Sequence, residues 1–356
     1  MDQRARVVVI GMGGIGGVVS ALLQRAARHD VMVCSRQRIS ELTLEEPDAT
    51  TQLAVKTLVD PGEVTSSVNW ILLCTKAHDT GSAAPWLARL CRPDTHVAVL
   101  QNGLDQTSLV APFVGGATVI PTIVHFNGER IAPDHVRFRH ARNDDLTFPD
   151  TAAGRAFIQL LEGTSLKAEA RPHFKTLQWR KLLLNAAANP LTTLTRQRLA
   201  VLRRDDIRVL CMDLLNEGVA VARAAGADLA EDEAAAIFDT LMGYPPESGT
   251  SMYFDCLASR PIEVEVLTGS IVRTGSAHGI PTPTNRILLS LLRSINDAAS
   301  GRLLLQGVLP RPAQHTGAVS AAQGPIAGHR PTSRPSCRRA AAVTPGMARI
   351  QDQIEP

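Results

Sequence analysis

The sequence predicts an α/β N-terminal half built on a buried parallel sheet, followed by an all-α C-terminal half. Three observations carry this expectation. The apolar run RVVVI (6–10) passes directly into GMGGIGG (11–17), then into the helical pattern VVSALLQRAAR, and VMVCS (31–35) follows as the next apolar run. Apolar runs continue to recur up to about residue 172. From His173 onward the apolar residues fall at helical spacing, and no strand pattern returns. Strands buried on both faces of a parallel sheet read as short continuous apolar runs, and helices between them cover the faces.

The elements follow in order. Gly11-x-Gly13-x-x-Gly16 sits between the first strand and the first helix, inside a unit of about thirty residues, as a dinucleotide-binding turn requires. Gly11, Met12, Gly13, Gly14, Ile15 and Gly16 would hold a pyrophosphate, with the helix N-terminus supplying N–H groups and a positive dipole end. The half is therefore Rossmann-type. About twenty residues past the glycines, an NAD enzyme places an acid on the ribose 2′-hydroxyl. Here the place holds Ser35 and Arg36, with Arg38 close by and no acid before Glu41. An arginine suits a 2′-phosphate, so NADP (NADPH) is the expected cofactor.

VNWILLCTKA (68–77) reads as a strand ending at Lys76, and HVAVLQNG (96–103) as one ending at Asn102. Ligands of open α/β sheets bind beyond the carboxyl ends of strands, so both residues are placed to meet the cofactor, although Asn-Gly also simply opens turns. ATVIPTIVHF (117–126) and VRFRHARNDDLTF (136–148) suggest two more strands, and KAEAR (167–171) a last one. Helices are expected at 174–188, stopped by Pro190; 205–225, stopped by Gly226; 230–242; 250–259; 263–278; and 283–299. The domains are then 1–172 (NADP-binding), 173–300 (helical, substrate and catalytic) and 301–356. The last region, with seven Arg, no Lys and seven Pro, is expected to be a disordered basic tail.

Composition excludes several classes. With 356 residues at 44% hydrophobic, two domains are affordable, and a net charge of +3 points to neither nucleic acid nor membrane. Cys34, Cys74, Cys91, Cys211, Cys256 and Cys337 are scattered, without CxxC or metal-type spacing to histidine, as in a reducing cytoplasm. No metal is expected. MDQRAR followed by an apolar stretch imitates a signal peptide, but five of the seventeen residues from Val7 to Leu23 are glycine, and the dinucleotide turn explains them better.

KLLLNAAANP (181–190) raises a different question. Lys181, Asn185 and Asn189 fall at i, i+4 and i+8, a polar stripe on one face of a helix otherwise made of Leu and Ala. Such a stripe needs partners from elsewhere in the protein or a ligand. The plainer alternative is a lysine reaching to solvent with asparagines bonded to local backbone.

GMGGIGG, LCTKA (73–77), LQNG (100–103), RKLLLNAAANPLT (180–192) and SMYFDCLASRPIEVEVLTGSIVRTGSAHGIPTP (251–283) together resemble the ketopantoate reductase (2-dehydropantoate 2-reductase) family, in the same order and at similar spacing over about residues 5–298. The resemblance implies NADPH-dependent reduction of ketopantoate to pantoate in pantothenate and coenzyme A synthesis. It also implies roles by position: Lys181 as the catalytic lysine; Asn185, Asn189, Ser251 and Asn102 as substrate-binding residues; Asn102 also at the nicotinamide side; Glu263 as a catalytic carboxylate near lysine and cofactor; Lys76 and Arg36 as cofactor-side basic residues. The sequence departs from the family at Leu199, where a further asparagine is expected, in the bulky IVHFNG (123–128), and in the tail.

The chemistry is consistent with these roles. Reduction of a ketone builds negative charge on oxygen, which needs a proton donor within reach. A lysine set among Leu and Ala is partly desolvated, which lowers its pKa toward a useful range, and Glu263 is expected to orient it. His125, His173 and His278 have no carboxylate at a telling spacing and are set aside as acids. The partner implied is a small 2-oxo acid, with neither nucleic acid nor membrane, and a homodimer is among the options. The nearest rival, a β-hydroxyacid dehydrogenase, has a glycine-rich turn before its lysine, where this chain has PHFKTLQWR (172–180). A non-catalytic NADP-binding redox sensor is the rival from another class.

Overall fold

A computed structural model describes residues 4–299, so the 301–356 region and Cys337 lie outside the described residues. β1 (Arg6–Ile10) turns into α1 (Gly14–Ala26) and β2 (Asp30–Cys34). The pair β3 (Glu41–Glu46) and β4 (Ala49–Ala54) follows, then β5 (Lys56–Leu58), β6 (Trp70–Leu73), α2 (Thr80–Leu90), β7 (His96–Val99), α3 (Gln106–Val110) and β8 (Thr118–Pro121). Next come β9 (Ile123–Val124), β10 (Asn127–Ala132), β11 (His135–Arg139), β12 (Leu146–Pro149), α4 (Ala152–Leu161) and β13 (Ala168–Arg171). From there the described chain is helical: α5 (Phe174–Thr195), α6 (Asp205–Ala224), α7 (Glu233–Met242), α8 (Ser251–Leu257), α9 (Thr268–Ala277) and α10 (Pro283–Ala299).

The main sheet is parallel throughout, in the order β5-β2-β1-β6-β7-β8. The order reverses direction between β1 and β6, and a crevice opens at the carboxyl ends of strands at such a point. Successive residues of β1 serve two cores. Val7 and Val9 pack with α1, whereas Val8 and Ile10 join Leu87 of α2 on the opposite face, which is why the strand is apolar without alternation.

A second sheet, β10-β11-β3-β4, lies over α1, and a third joins β13, β12 and β9. Close packing of α1 beneath the second sheet explains glycines that the dinucleotide turn does not need. A Cβ on Gly14 would stand 2.0 Å from the Gly128 carbonyl oxygen, and one on Gly17 2.5 Å from Val136 Cγ1. No side chain fits at Gly14 without moving backbone.

Several boundaries differ from those the sequence predicts. β3 alternates Glu and Thr with Leu, β4 is mostly Thr, Gln and Ala, and β5 opens on Lys-Thr, so none has the apolar run of a buried strand. Where two strands are expected over 117–148, five short ones form. Pro190 does not stop α5, which continues to Thr195 because Asn189, Pro190, Leu191, Thr192 and Thr193 are all buried. Tertiary packing there outweighs the lost backbone hydrogen bond and the ring clash that proline brings. The predicted helix 263–278 begins only at Thr268, and the segment before it runs through turns that bury Ile262, Glu263 and Val264.

Candidate active site

The turn after β1 is shaped by glycine at two points. Gly11 has φ +102°, and a Cβ there would stand 2.7 Å from the Thr75 amide nitrogen. At Gly16 a Cβ would fall 1.9 Å from the Gly11 carbonyl oxygen, which draws helix and strand into contact. Gly13, the residue before α1, has open space on its Cβ side, so a phosphate can approach the first N–H groups of a 13-residue helix. Met12 is buried and Ile15 half-buried beside the turn. The turn thus fits a dinucleotide pyrophosphate. Gly16→Ala forces backbone against backbone and should cost about 1–3 kcal/mol in stability, with loss of dinucleotide binding. An unchanged melting temperature and unchanged dinucleotide binding would contradict that.

Lys76 and Asn102 follow β6 and β7 by three residues, so neither ends its strand; both stand in loops at the carboxyl edge. Two buried glutamines hold these loops. Gln101 Nε2 donates to the Thr75 carbonyl and Oγ1 (both 3.0 Å) and to Thr80 Oγ1 (3.1 Å), while Gln106 Nε2 donates to the Thr122 carbonyl at 3.0 Å and to that of Gln101. From α5, Gln178 Nε2 donates to the Gly103 carbonyl at 3.1 Å, which sets the helix against the same edge.

Glu263 reaches this edge from the segment before α9. Its carboxylate is buried and accepts from the Ala77 amide at 3.0 Å and from Asn102 Nδ2 at 2.8 Å. Among the described residues no hydrogen bond or ion pair joins it to Lys181, where the sequence led us to expect one. Lys76 pairs with Asp255 of α8, whose other oxygen accepts from Arg260 Nε at 3.0 Å.

Two residues of the α5 stripe face that edge. Asn102, Lys181 and Asn185 line one small cavity together with Gln101, Gln178 and Val124, and Asn189 does not line it. Lys181 is half-buried and, among the described residues, no hydrogen bond or ion pair holds its ammonium; burial lowers its pKa. Asn189 is buried, and its Nδ2 has no partner among the described residues. Such a donor is costly to leave unmade, and neither solvent nor local backbone answers it. His125, set aside from sequence, stands close enough to feel the Lys181 charge. Burial first, and then that ammonium, hold its pKa at about 4, so it is neutral at physiological pH and offers no competing acid.

Ser251 is exposed at the first turn of α8, whose preceding residue, Thr250, shares a 2.8 Å hydrogen bond with Thr192 of α5. That bond ties the start of α8 to α5, but Ser251 itself does not line the cavity that holds Lys181 and Asn185. Leu199 is buried in the helical core. Arg36, just past β2, is exposed and unpaired among the described residues, whereas Arg38 is held by Glu63 at 2.8 Å and the Thr57 carbonyl at 3.1 Å. Sequence reasoning missed Asp255, Gln101, Gln106 and Gln178. Asp255 alone had a signal, since it follows Ser251 by four residues and shares its helix face. Among the described residues there is no cluster of three His, Cys, Asp or Glu side chains suited to a metal ion, and no helix long and apolar enough to cross a membrane.

Residues 7–153 match the family described as ketopantoate reductase PanE/ApbA, and residues 173–296 match its C-terminal counterpart. A 2-dehydropantoate 2-reductase of Mycobacterium tuberculosis is 36% identical over 293 residues, covering 82% of this chain and 98% of that protein. The crystal structure of a PanE/ApbA family ketopantoate reductase from Ralstonia eutropha JMP134 is similar at a TM-score of 0.76 and 30% identity, over 83% of this chain and 99% of that one. A dimeric ketopantoate reductase from Staphylococcus aureus is similar at a TM-score of 0.74 and 29% identity, with the same coverage.

Proposed function

The chain belongs to the ketopantoate reductase family, an oxidoreductase family acting on CH–OH groups, and from that premise we propose that it reduces ketopantoate to pantoate with NADPH, Lys181 serving as the general acid. One observation supports this above the others: Lys181 and Asn185 of α5 line the same cavity as Asn102 of the strand edge. A charged donor and two amides thus converge where a small 2-oxo acid would lie between them.

When bound, the reduced nicotinamide supplies the hydride for the carbonyl carbon. The chain does the rest. The N–H groups at the start of α1 and the turn from Gly11 to Gly16 hold the pyrophosphate, Arg36 takes the 2′-phosphate, Lys76 meets the cofactor as a second basic residue, and Asn102 takes the nicotinamide side. Lys181 donates its proton to the carbonyl oxygen as charge develops there, and its lowered pKa favours that transfer. Asn185, Asn189 and Ser251 hold the substrate by neutral hydrogen bonds. Glu263 fixes Asn102 and the backbone at Ala77, which keeps the site's edge in place before substrate arrives. The site takes no metal in this reading. The reaction belongs to pantothenate and coenzyme A synthesis, in the cytoplasm, and a homodimer is the assembly we favour because the similar Staphylococcus aureus protein is described as dimeric.

Asn189→Ala should raise KM for the oxo acid by roughly 10-fold, the loss of one hydrogen bond of about 1.4 kcal/mol, while kcat falls less. A fall in kcat alone would remove Asn189 from substrate binding. The activity itself is tested by NADPH oxidation with ketopantoate beside pyruvate, 2-oxoisovalerate and bulkier 2-oxo acids. Ketopantoate should give the highest kcat/KM. Faster turnover of another member would reassign the substrate, oxidation of 3-hydroxy acids instead would favour the β-hydroxyacid dehydrogenase reading, and no oxidation with any would leave an NADP-binding protein without turnover.

A further inference from the structure

We propose that Asp255 is the positioning residue for Lys76, aiming its ammonium toward the glycine turn so that it meets a bound dinucleotide already oriented; the inference rests on the dinucleotide reading above. Lys76 stands one residue past Thr75, whose amide lies 2.7 Å from where a Gly11 Cβ would be, so the backbone that leads into the lysine adjoins the glycine turn across the reversal point of the sheet. The Asp255 side chain is 7% exposed, and its carboxylate is divided between two cations, Lys76 on one oxygen and Arg260 Nε, at 3.0 Å, on the other.

An ammonium has three donors. Asp255 engages one, and the Lys76 side chain is still 38% exposed, so donors remain free to face a ligand. The loop carrying the lysine is also held at the next residue, because Glu263 accepts from the Ala77 amide at 3.0 Å. Two carboxylates of one segment, at 255 and 263, therefore fix consecutive residues at the edge of the proposed cofactor site. A flexible lysine would lose that order, and ordering it on binding lowers affinity.

Charge gives a second role to the same contact. The groups facing Lys76 are Asp255 and Arg260 from α8 and the turn after it, Glu263 from the segment that follows, and Asp79 from its own loop. Burial pushes the Lys76 pKa down and Arg260 pushes it the same way, while Glu263 and Asp79 oppose them. With Asp255→Asn the contacting carboxylate is gone. Lys76 then gives up its proton at a lower pH, and affinity for an anionic dinucleotide falls as pH rises through that range.

The experiment measures NADPH dissociation constants by fluorescence titration of the full chain, without oxo acid, from near-neutral to alkaline pH. Asp255→Asn should weaken NADPH roughly tenfold near neutrality, with the deficit widening as pH rises. Lys76→Arg in the Asp255→Asn background should abolish the widening, because guanidinium keeps its charge. Asp255→Glu, which keeps the carboxylate but displaces it, should weaken binding with a flat pH profile, and it serves alone should the asparagine variant not fold. NADPH affinity in Asp255→Asn within roughly twofold of wild type, a deficit that does not change with pH, or an Asp255→Glu protein that binds as wild type would each overturn the inference. Failure of the wild-type chain to bind NADPH would sink the dinucleotide reading and this inference together, whereas normal wild-type binding with an unaltered variant sinks this inference alone.

Discussion

Replacing Lys181 with alanine should lower kcat for the oxo acid by roughly 10²–10⁴ while NADPH affinity stays near wild type. The two effects separate because Lys181 belongs to α5 and lines the cavity with Asn102 and Asn185, whereas the turn proposed for the pyrophosphate lies at Gly11 to Gly16. No substitute acid stands ready. His125, the titratable neighbour that feels the lysine's charge, has its pKa lowered first by burial, which remains when the ammonium is removed, so its imidazole is still held below its ordinary range and is a poor acid near neutrality. Lys181→Arg should also turn over poorly, since guanidinium is a feeble donor at neutral pH and has a different shape. Measured kcat and NADPH affinity for both variants decide the matter. A Lys181→Ala protein with near-normal kcat would assign the proton to water or another group.

Arg36→Ala should reduce the preference for NADPH over NADH, measured as the ratio of kcat/KM values, by roughly 10- to 100-fold, the equivalent of a charge-assisted contact of about 1.5–3 kcal/mol. Two arginines follow β2, and the geometry separates them. Arg38 is committed to Glu63 and the Thr57 carbonyl, while Arg36 is exposed and unpaired among the described residues. Arg38→Ala should therefore leave the preference almost unchanged. If Arg38→Ala collapses the preference and Arg36→Ala does not, the assignment belongs to the other arginine.

What could be read from the sequence follows from how locally each feature is encoded. β1, β6 and β7 are buried on both faces, so their apolar runs stand out, and the glycine turn is legible because Gly11 and Gly16 answer to contacts with their own strand and helix. β3, β4 and β10 belong to a sheet with one face toward solvent, and their polar residues hid them, whereas β11 of the same sheet lies within the strand expected at 136–148. Gly14 and Gly17 fit against that sheet, so their purpose was invisible until it was seen. Pro190 predicts a helix end from local rules, yet burial of the following turn carries α5 onward.

The site divides in the same way. The stripe of Lys181, Asn185 and Asn189 is a periodicity within one helix and is visible in the letters alone. That Glu263 would bond Asn102 and Ala77 and not Lys181 depends on a contact 161 residues apart in one case and 186 in the other. Asp255 and Lys76 are 179 residues apart, and the glutamines tying the strand edge together are ordinary polar residues until the sheet brings them into line.

The most direct test of Lys181 as the proton donor is the pH dependence of kcat/KM for NADPH-dependent ketopantoate reduction. A general acid must be protonated, and burial lowers the pKa of this lysine, so activity should be lost as pH rises through a midpoint below the ordinary lysine value. The residual activity of Lys181→Arg should lack that alkaline limb. A profile that stays flat up to the ordinary lysine range, or the same limb persisting in Lys181→Ala, would contradict the account.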